Sequence, residues 1–130
     1  MNNKKAPAII KIWLGEDGIV YLYLGGQFKE EDIKKFVEEK IKVLKEVKGK
    51  TRVLGDLRDL GMGDFSLATR AKKLIVDELK ELEQEKVEKM AIVGSNMIIK
   101  VVGLFVGKAL RIKEAKYFTD KEKALEWLKE

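Results

Sequence analysis

The hydrophobic and polar positions of the chain change repeatedly between strand-like and helix-like spacing. Two runs of β-branched and aromatic residues, at 9–14 and 19–24, flank the turn sequence GEDG and predict an antiparallel hairpin. From Lys29 to about Val47, apolar residues recur every three or four positions among lysines and glutamates. This spacing predicts a long amphipathic helix that ends near Gly49.

The remainder of the chain predicts three more strands, each followed by a helix. The strands are expected at 51–57, 86–94 and 114–118, and the helices at 67–82, 95–110 and 119–130. Thr119 and Glu122 have the spacing of a capping box at the start of the last helix. The order ββαβαβαβα predicts an α/β fold, with four helices on a mixed five-stranded sheet that is parallel except at one edge. We interpret residues 1–130 as a single domain and expect residues 1–7 to be flexible.

The composition removes several classes of chemistry. The chain of 130 residues contains no cysteine and no histidine, which excludes disulfides, thiolate nucleophiles, the usual zinc sites and imidazole acid–base catalysis. We therefore expect a protein that is not an enzyme and that uses no metal or cofactor.

Lys11 interrupts the first apolar run and no small-residue cleavage site follows it. A secretory signal is not indicated, and we expect a cytoplasmic protein.

Four local motifs, distributed between residues 24 and 129, follow one another in a characteristic order. They are LGGQFKEEDIKKF, VLGDLRD, KVEKMAIVGSN and AKYFTDKEKALEWLK. Together with the element order they resemble the STAS domain, the fold of the anti-sigma-factor antagonists. They look more specifically like its SpoIIAA-like branch, which is also labelled STAS or CRAL-TRIO related. The resemblance implies a domain that binds protein partners or small ligands and rarely catalyses a reaction, in a branch of largely unknown function.

The resemblance draws attention to Ser66. In anti-sigma-factor antagonists a serine at the start of the second helix, in a pattern like D-S-S-G, is phosphorylated to release the partner. The matching region here is GDFSL, in which Phe65 occupies one position of the pattern and Leu67 replaces the glycine. We expect Asp64 or Ser66 to cap the helix, and Ser66 not to be a phosphoacceptor, since Asp59 and Asp64 would repel a phosphate. A phosphorylation-switched antagonist is the third functional hypothesis.

Asp56, Arg58 and Asp59 follow a predicted parallel strand, at the sheet edge where open α/β folds bind ligands. Two carboxylates and an arginine could serve as acid, base and electrostatic clamp, or could hold a cation. We favour a structural loop in which the aspartates accept backbone N–H groups and Arg58 neutralises them. The glycines at 25–26, 61 and 63 match no phosphate-loop pattern and predict turns with positive φ.

The helix expected at 95–110 is apolar nearly all round. We assign its core-facing stripe to Ile98, Val102, Phe105, Val106 and Ala109. The opposite half carries a second apolar ridge beside three basic residues, and this set is the candidate interface: Met97, Lys100, Val101, Leu104, Lys108 and Arg111. Gly103 and Gly107 lie one turn apart and permit close backbone approach. A ridge of this kind is buried by a neighbouring element, a second copy, a ligand or a membrane.

The leading hypothesis is a non-enzymatic binding or regulatory module that acts through this helix on a protein partner, most simply as a homodimer. The alternative is a carrier or sensor of a small apolar or anionic amphiphile, with the helix as a lid and a basic residue paired with the head group. Membrane-surface contact is a lesser expectation of the same pattern. Nucleic acid is not expected, since the lysines alternate with aliphatic rather than aromatic residues.

Overall fold

The computed structural model describes residues 6–61 and 65–130. Within these ranges it contains six strands and four helices, in the predicted order apart from one added strand. They are β1 (Ile9–Leu14), β2 (Ile19–Gln27), α1 (Glu30–Glu46), β3 (Thr51–Asp56), β4 (Leu60–Gly61), α2 (Phe65–Lys86), β5 (Val87–Val93), α3 (Met97–Ala109), β6 (Glu114–Phe118) and α4 (Lys121–Lys129).

The sheet has the strand order β1-β2-β3-β5-β6. β1 is antiparallel to β2, and the other neighbours along this path are parallel, which confirms the predicted mixed sheet with its antiparallel edge. The predicted number of five strands is wrong, because β4 adds a short parallel pairing at the end of β2. β2 extends past β3, and its end is completed by hydrogen bonds from Gly26 N to Asp59 O (2.9 Å) and from Phe28 N to Gly61 O (3.0 Å).

Side-chain alternation gives the two faces of the sheet different coverings. Val20, Leu22 and Leu24 belong to the main core, to which α1, α2 and α3 contribute buried side chains. Tyr21 points to the other face, where α4 packs over β3, β5 and β6. α4 has nine residues, a length of about 14 Å at ~1.5 Å per residue, while adjacent strands lie ~4.8 Å apart. On this face the outer side of β1 consequently remains open, and Trp13 is 45% exposed.

One prediction about the helix ends needs correction. The capping box of Thr119 and Glu122 is wrong, because Asp120 is the N-cap of α4. The Asp120 carboxylate accepts hydrogen bonds from the backbone N of Glu122 (2.8 Å) and of Lys123 (3.4 Å). At the other end of the chain, Gln27 N donates to Ala6 O (2.7 Å), and Pro7 forms a parallel bridge with Gln27; the flexibility of residues 1–7 stays a prediction. Residues 1–5 lie outside the described ranges.

The helices of the described residues contain no stretch that is both long and apolar enough to cross a bilayer.

Candidate functional site

α3 turns a different side to the sheet from the one predicted. Its buried residues are Ile99, Gly103 and Gly107. Met97 and Val101 are exposed, as predicted, by 68% and 57%. Ile98 and Phe105 were assigned to the core, but they are 57% and 52% exposed. Of the remaining core assignments, Val102, Val106 and Ala109 are half-buried, as is Leu104 of the predicted ridge.

The two glycines explain the orientation of α3. A Cβ atom on Gly103 would lie 2.8 Å from Ile92 Cδ1, and one on Gly107 would lie 2.8 Å from Met90 Cε and 3.1 Å from Ala115 Cβ. The glycine side of the helix therefore lies directly against β5 and β6. The sequence prediction noted that the two glycines permit close backbone approach but assigned the core-facing stripe from the other apolar residues alone. For that reason it placed Ile98 and Phe105 in the core, where they do not lie.

The exposed face of α3 is apolar at its centre and basic around it. We call Met97, Ile98, Val101 and Phe105 the α3 patch. The predicted basic residues, Lys100, Lys108 and Arg111, are all exposed, and α3 contains no acidic residue. A further cation comes from α2, since Lys72 Nζ lies 3.6 Å from the centre of the Phe105 ring. The α3 patch therefore offers apolar surface within a positive rim.

An apolar cavity of about 120 Å³ lies beneath α3, between the helices and the sheet. Ile99, Val102 and Val106 of α3 form one wall of the cavity, and Lys40 and Lys72 are the charged residues that line it. Dry cavities of this size accept a small apolar ring. The cavity is thus large enough for a ring or for part of an acyl chain, with α3 as its cover.

In the loop after β3, Asp56 and Arg58 satisfy each other. Arg58 donates from Nε to Asp56 Oδ1 (2.9 Å) and from Nη2 to Oδ2 (2.8 Å), and its backbone N also donates to Oδ1 (3.2 Å). Burial alone would raise the pKa of Asp56, but the hydrogen bonds and charge of Arg58 outweigh burial and hold that pKa below its usual value. Asp56 is therefore ionised and already paired near neutral pH.

Asp59 is held by a neighbouring strand. The Tyr23 hydroxyl donates to Asp59 Oδ2 (2.6 Å), and this hydrogen bond, with burial and the nearby negative charges, raises the pKa of Tyr23 to about 12. As predicted, Asp56 accepts the backbone N–H of Arg58 and pairs with its guanidinium, whereas Asp59 accepts a hydrogen bond from the side chain of Tyr23. No group of three or more potential metal ligands is present within residues 6–61 and 65–130.

Replacing Asp56 by asparagine should lower the free energy of unfolding by about 1–2 kcal/mol at pH 7, since a charge-assisted pair is lost and Arg58 can still reach water. Because the folded-state pKa of Asp56 is depressed, its stabilisation is present above the unfolded value of about 4 and is lost as the pH falls through the folded value. Urea denaturation from pH 7 to pH 2 should show the variant and the wild type converging below about pH 4. Asp77→Asn on the exposed side of α2 is the control, and a constant Asp56→Asn difference would contradict the assignment.

Ser66 lies inside α2 as its second residue, because the helix begins at Phe65. It is therefore not the N-cap itself, which corrects that half of the capping prediction, while Asp64 lies outside the described residues. The Ser66 hydroxyl is exposed and accepts a hydrogen bond from Arg70 Nη1 (2.6 Å). That Ser66 is not a phosphoacceptor stays a prediction.

The predicted positive φ is confirmed for one of the glycines near this edge, Gly26, at 78°. Gly25 and Gly61 do not have a positive φ, and Gly63 lies outside the described residues. Gly25 instead leaves room for an aromatic side chain, since a Cβ there would lie 2.6 Å from the Tyr23 hydroxyl oxygen.

The open face of β1 and β2 carries an aromatic surface that the sequence analysis missed. The rings of Trp13 and Tyr21 stack with their centres 5.4 Å apart and their planes within 10°. A groove of about 330 Å³ lies here, between these strands and the start of α4. Tyr21 and Tyr23 at alternate positions of IVYLYL, with Trp13 in the paired strand and so short a last helix, are the signal that could have found it.

Comparison with known proteins supports the architecture. The family model described as SpoIIAA-like matches residues 19–129. A crystal structure of an uncharacterised protein of the DUF3478 family with a SpoIIAA-like fold, from Shewanella loihica PV-4, is 22% identical and has a TM-score of 0.64 over 93% of each chain. No curated protein matches the chain. The family match extends over most of the sequence and agrees with the observed fold, so this protein belongs to the SpoIIAA-like family.

Proposed function

We propose that this protein is a non-enzymatic binding module that holds a partner against the α3 patch, and that the partner is a second copy of the chain. The observation that carries the proposal is the exposure of four large apolar side chains on one helix, each more than half accessible to solvent. Contiguous exposed apolar surface is typical of association sites. Burying the exposed part of each side chain would contribute on the order of 1 kcal/mol.

A two-fold dimer uses the same patch twice, so each apolar residue is buried in both copies. The positive rim opposes this arrangement, because lysines of the two copies approach one another. Lys100 and Lys108 can stay in water at the edge of such an interface, where their repulsion is weak and screened by salt. The dimer should therefore become tighter, not weaker, as salt is added.

The loop after β3 supports the non-enzymatic part of the proposal. Catalytic acids and bases need a free lone pair or proton near the operating pH. Both oxygens of Asp56 accept hydrogen bonds from Arg58, and Tyr23 donates to Asp59. This cluster holds the end of β3 against β2 and offers little to a substrate.

The cavity beneath α3 favours a second candidate function, a carrier or sensor of a small amphiphile. An apolar tail would enter the cavity, and an anionic head group would pair with Lys100, Lys108 or Arg111 on the outside of the helix. Attraction between the head group and these cations would weaken with added salt. The two candidates therefore have opposite salt dependences.

The test is the molar mass of the protein in solution, measured by light scattering at high concentration in low and high salt. We expect a dimer for the wild type and a shift to monomer for Val101→Glu, which raises the dimer dissociation constant by at least about tenfold. Leu14→Glu is the matched control, since Leu14 is an exposed apolar residue on β1, away from α3, and it should remain dimeric.

A wild type that stays monomeric at every salt concentration would contradict the dimer. Native mass spectrometry of the same samples then tests the carrier. A bound mass on the monomer, lost when Val106→Trp fills the cavity, would support the second candidate. An unliganded monomer would remove both.

A further inference from the structure

The groove on the open face of the sheet has the character of a ligand site, and it lies on the side of the sheet opposite to α3. Its floor is aromatic, formed by Trp13, Tyr21 and Tyr23, and charged side chains from Lys11, Asp56 and Lys121 line it. Its volume of about 330 Å³ falls at the lower end of the range of small-molecule sites, which is ~300–1,000 Å³.

The aromatic rings are fixed before any ligand arrives. The Tyr21 hydroxyl donates to Asp17 Oδ2 (2.5 Å), and the Tyr23 hydroxyl donates to Asp59 Oδ2 (2.6 Å). Both hydroxyls are therefore occupied, and the tyrosines offer ring surface to the groove. Trp13 stacks on Tyr21 and is 45% exposed. A second ring could stack on this surface at small entropic cost, because the floor is already ordered.

The charges that line the groove favour an anion. Asp56 is the one carboxylate among its lining residues, and Arg58 binds both of its oxygens. Lys11 and Lys121 supply two ammonium groups, and neither makes an ion pair within the described parts of the chain. The positive charge of Lys121 also acts on Asp56. The lining therefore carries two lysines against one aspartate, whose charge Arg58 already balances.

We propose that this groove binds a small anion that contains a planar aromatic ring. The ring stacks on Trp13, and the carboxylate or phosphate of the ligand pairs with Lys11 and Lys121. Trp13 is the one exposed ring of the floor, since Tyr21 and Tyr23 are half-buried. One such ring in a groove bounded by the start of α4 suits one small molecule, whereas a single-stranded nucleic acid needs a series of stacking surfaces. The site is independent of the α3 patch.

The two tryptophans of the chain give a direct test. Their indole N–H groups give separate peaks in a proton–nitrogen NMR correlation spectrum, and Trp13→Phe identifies the peak of Trp13. Titration with 2-naphthoate should shift the Trp13 peak saturably. Trp127 packs against Phe118 on the α4 side of the sheet, and its peak is the internal control. Equal shifts of both peaks, or no saturable shift, would overturn the proposal.

Two analogues separate the contributions of ring and charge. 2-Naphthalenemethanol keeps the ring without the charge, and decahydro-2-naphthoate keeps the charge without the aromatic ring. Each should bind at least about threefold more weakly than 2-naphthoate, as expected for loss of one ion pair or one stacking contact. Binding of the saturated analogue as tight as that of 2-naphthoate would exclude stacking on Trp13.

Variants complete the experiment. Lys11→Gln should weaken 2-naphthoate binding by about twofold to fivefold, whereas Lys113→Gln, at an exposed lysine outside the groove, should not. Equal effects of the two variants would exclude a specific role for Lys11. Val101→Glu on α3 should leave the titration unchanged, so that failure of the α3 proposal and failure of this one are distinguished.

Discussion

Replacing Glu83 by leucine should lower the free energy of unfolding by about 3–5 kcal/mol, the largest effect that we expect from a single substitution in this protein. The Glu83 side chain is fully buried, and the Lys40 side chain is 4% exposed. Lys40 Nζ contacts Glu83 Oε1, and this ion pair joins α1 to α2 within the core. Leucine at position 83 would leave an ammonium group without its partner beside an apolar cavity. Urea denaturation at pH 7 measures the loss.

The double variant Lys40→Met with Glu83→Leu tests whether the loss comes from the unpaired charge. Apolar residues of similar size often replace a buried ion pair without loss of stability. We expect the double variant to lie within about 1 kcal/mol of the wild type, which corresponds to strong coupling in a double-mutant cycle. Lys42→Met is the surface control: Lys42 Nζ lies 3.7 Å from Glu39 Oε1, and the Lys42 side chain is 72% exposed. The Lys42→Met variant should change the free energy of unfolding by less than about 1 kcal/mol. Additive losses in the double variant would contradict the account.

The ion pair between Lys40 and Glu83 is a feature of the core that the sequence patterns did not predict. The predicted buried stripe of α1 contained only apolar residues, yet Lys40 follows the buried Phe36 by four positions and is itself buried. Glu83 follows the buried Leu79 by the same interval. A charged residue on an apolar stripe is recognisable in principle. Its partner is not, because the pairing depends on how two helices distant in sequence pack together.

The fold itself was predictable because its signals are local. They are the β-branched and aromatic runs around GEDG, the helical spacing from Lys29 to Val47 and the strand–helix order, and each depends on neighbouring residues. Seven of the nine predicted strands and helices have both ends within two residues of those observed in the described parts of the chain, and the family match agrees with them. The two-residue β4 was missed because it forms only where β2 extends beyond β3, which is a property of the assembled sheet.

The candidate sites were less predictable than the fold. The sequence predicted exposed apolar residues on α3, and Met97 and Val101 are exposed. The contact of Gly103 and Gly107 with the sheet also leaves Ile98 and Phe105 exposed, which the sequence did not predict. The aromatic groove was missed because it depends on α4 leaving β1 uncovered. In both cases the missing information was the distance between elements, which a pattern of apolar residues along one chain does not contain.

The two surfaces lie on opposite faces of one sheet, and its central strands are common to both. Leu22 lines the cavity beneath α3 and also the aromatic groove. A Cβ on the neighbouring Gly55 would lie 3.3 Å from Leu22 Cδ1, so the packing around Leu22 is tight on the sheet. The end of this sheet is held together by Tyr23, Asp59 and the segment around Gly26.

Gly26→Ala should lower the free energy of unfolding by about 2–4 kcal/mol. Gly26 has a φ of 78°, which costs a residue with a side chain ~1–2 kcal/mol. A Cβ there would also lie 2.2 Å from Pro7 O and 2.7 Å from Ala6 O. These are backbone atoms, and Ala6 O accepts a hydrogen bond from Gln27 N (2.7 Å), so the clash cannot be relieved by rotation of a side chain. Relief requires movement of the segment from β2, at a cost typical of overpacking.

Gly49→Ala is the matched control, because Gly49 has a φ of 81° and nothing lies within 4 Å of the position that its Cβ would occupy. Its cost should be only the ~1–2 kcal/mol of the left-handed backbone. The excess of Gly26→Ala over Gly49→Ala in urea denaturation therefore measures how firmly residues 6 and 7 are held against the end of β2. Because Gly26 N donates to Asp59 O (2.9 Å), the same variant should disturb the hydrogen bond between Asp59 and Tyr23 at the edge of the aromatic groove. Equal costs for the two variants would mean that the segment moves aside freely and that the sheet end is ordered without it.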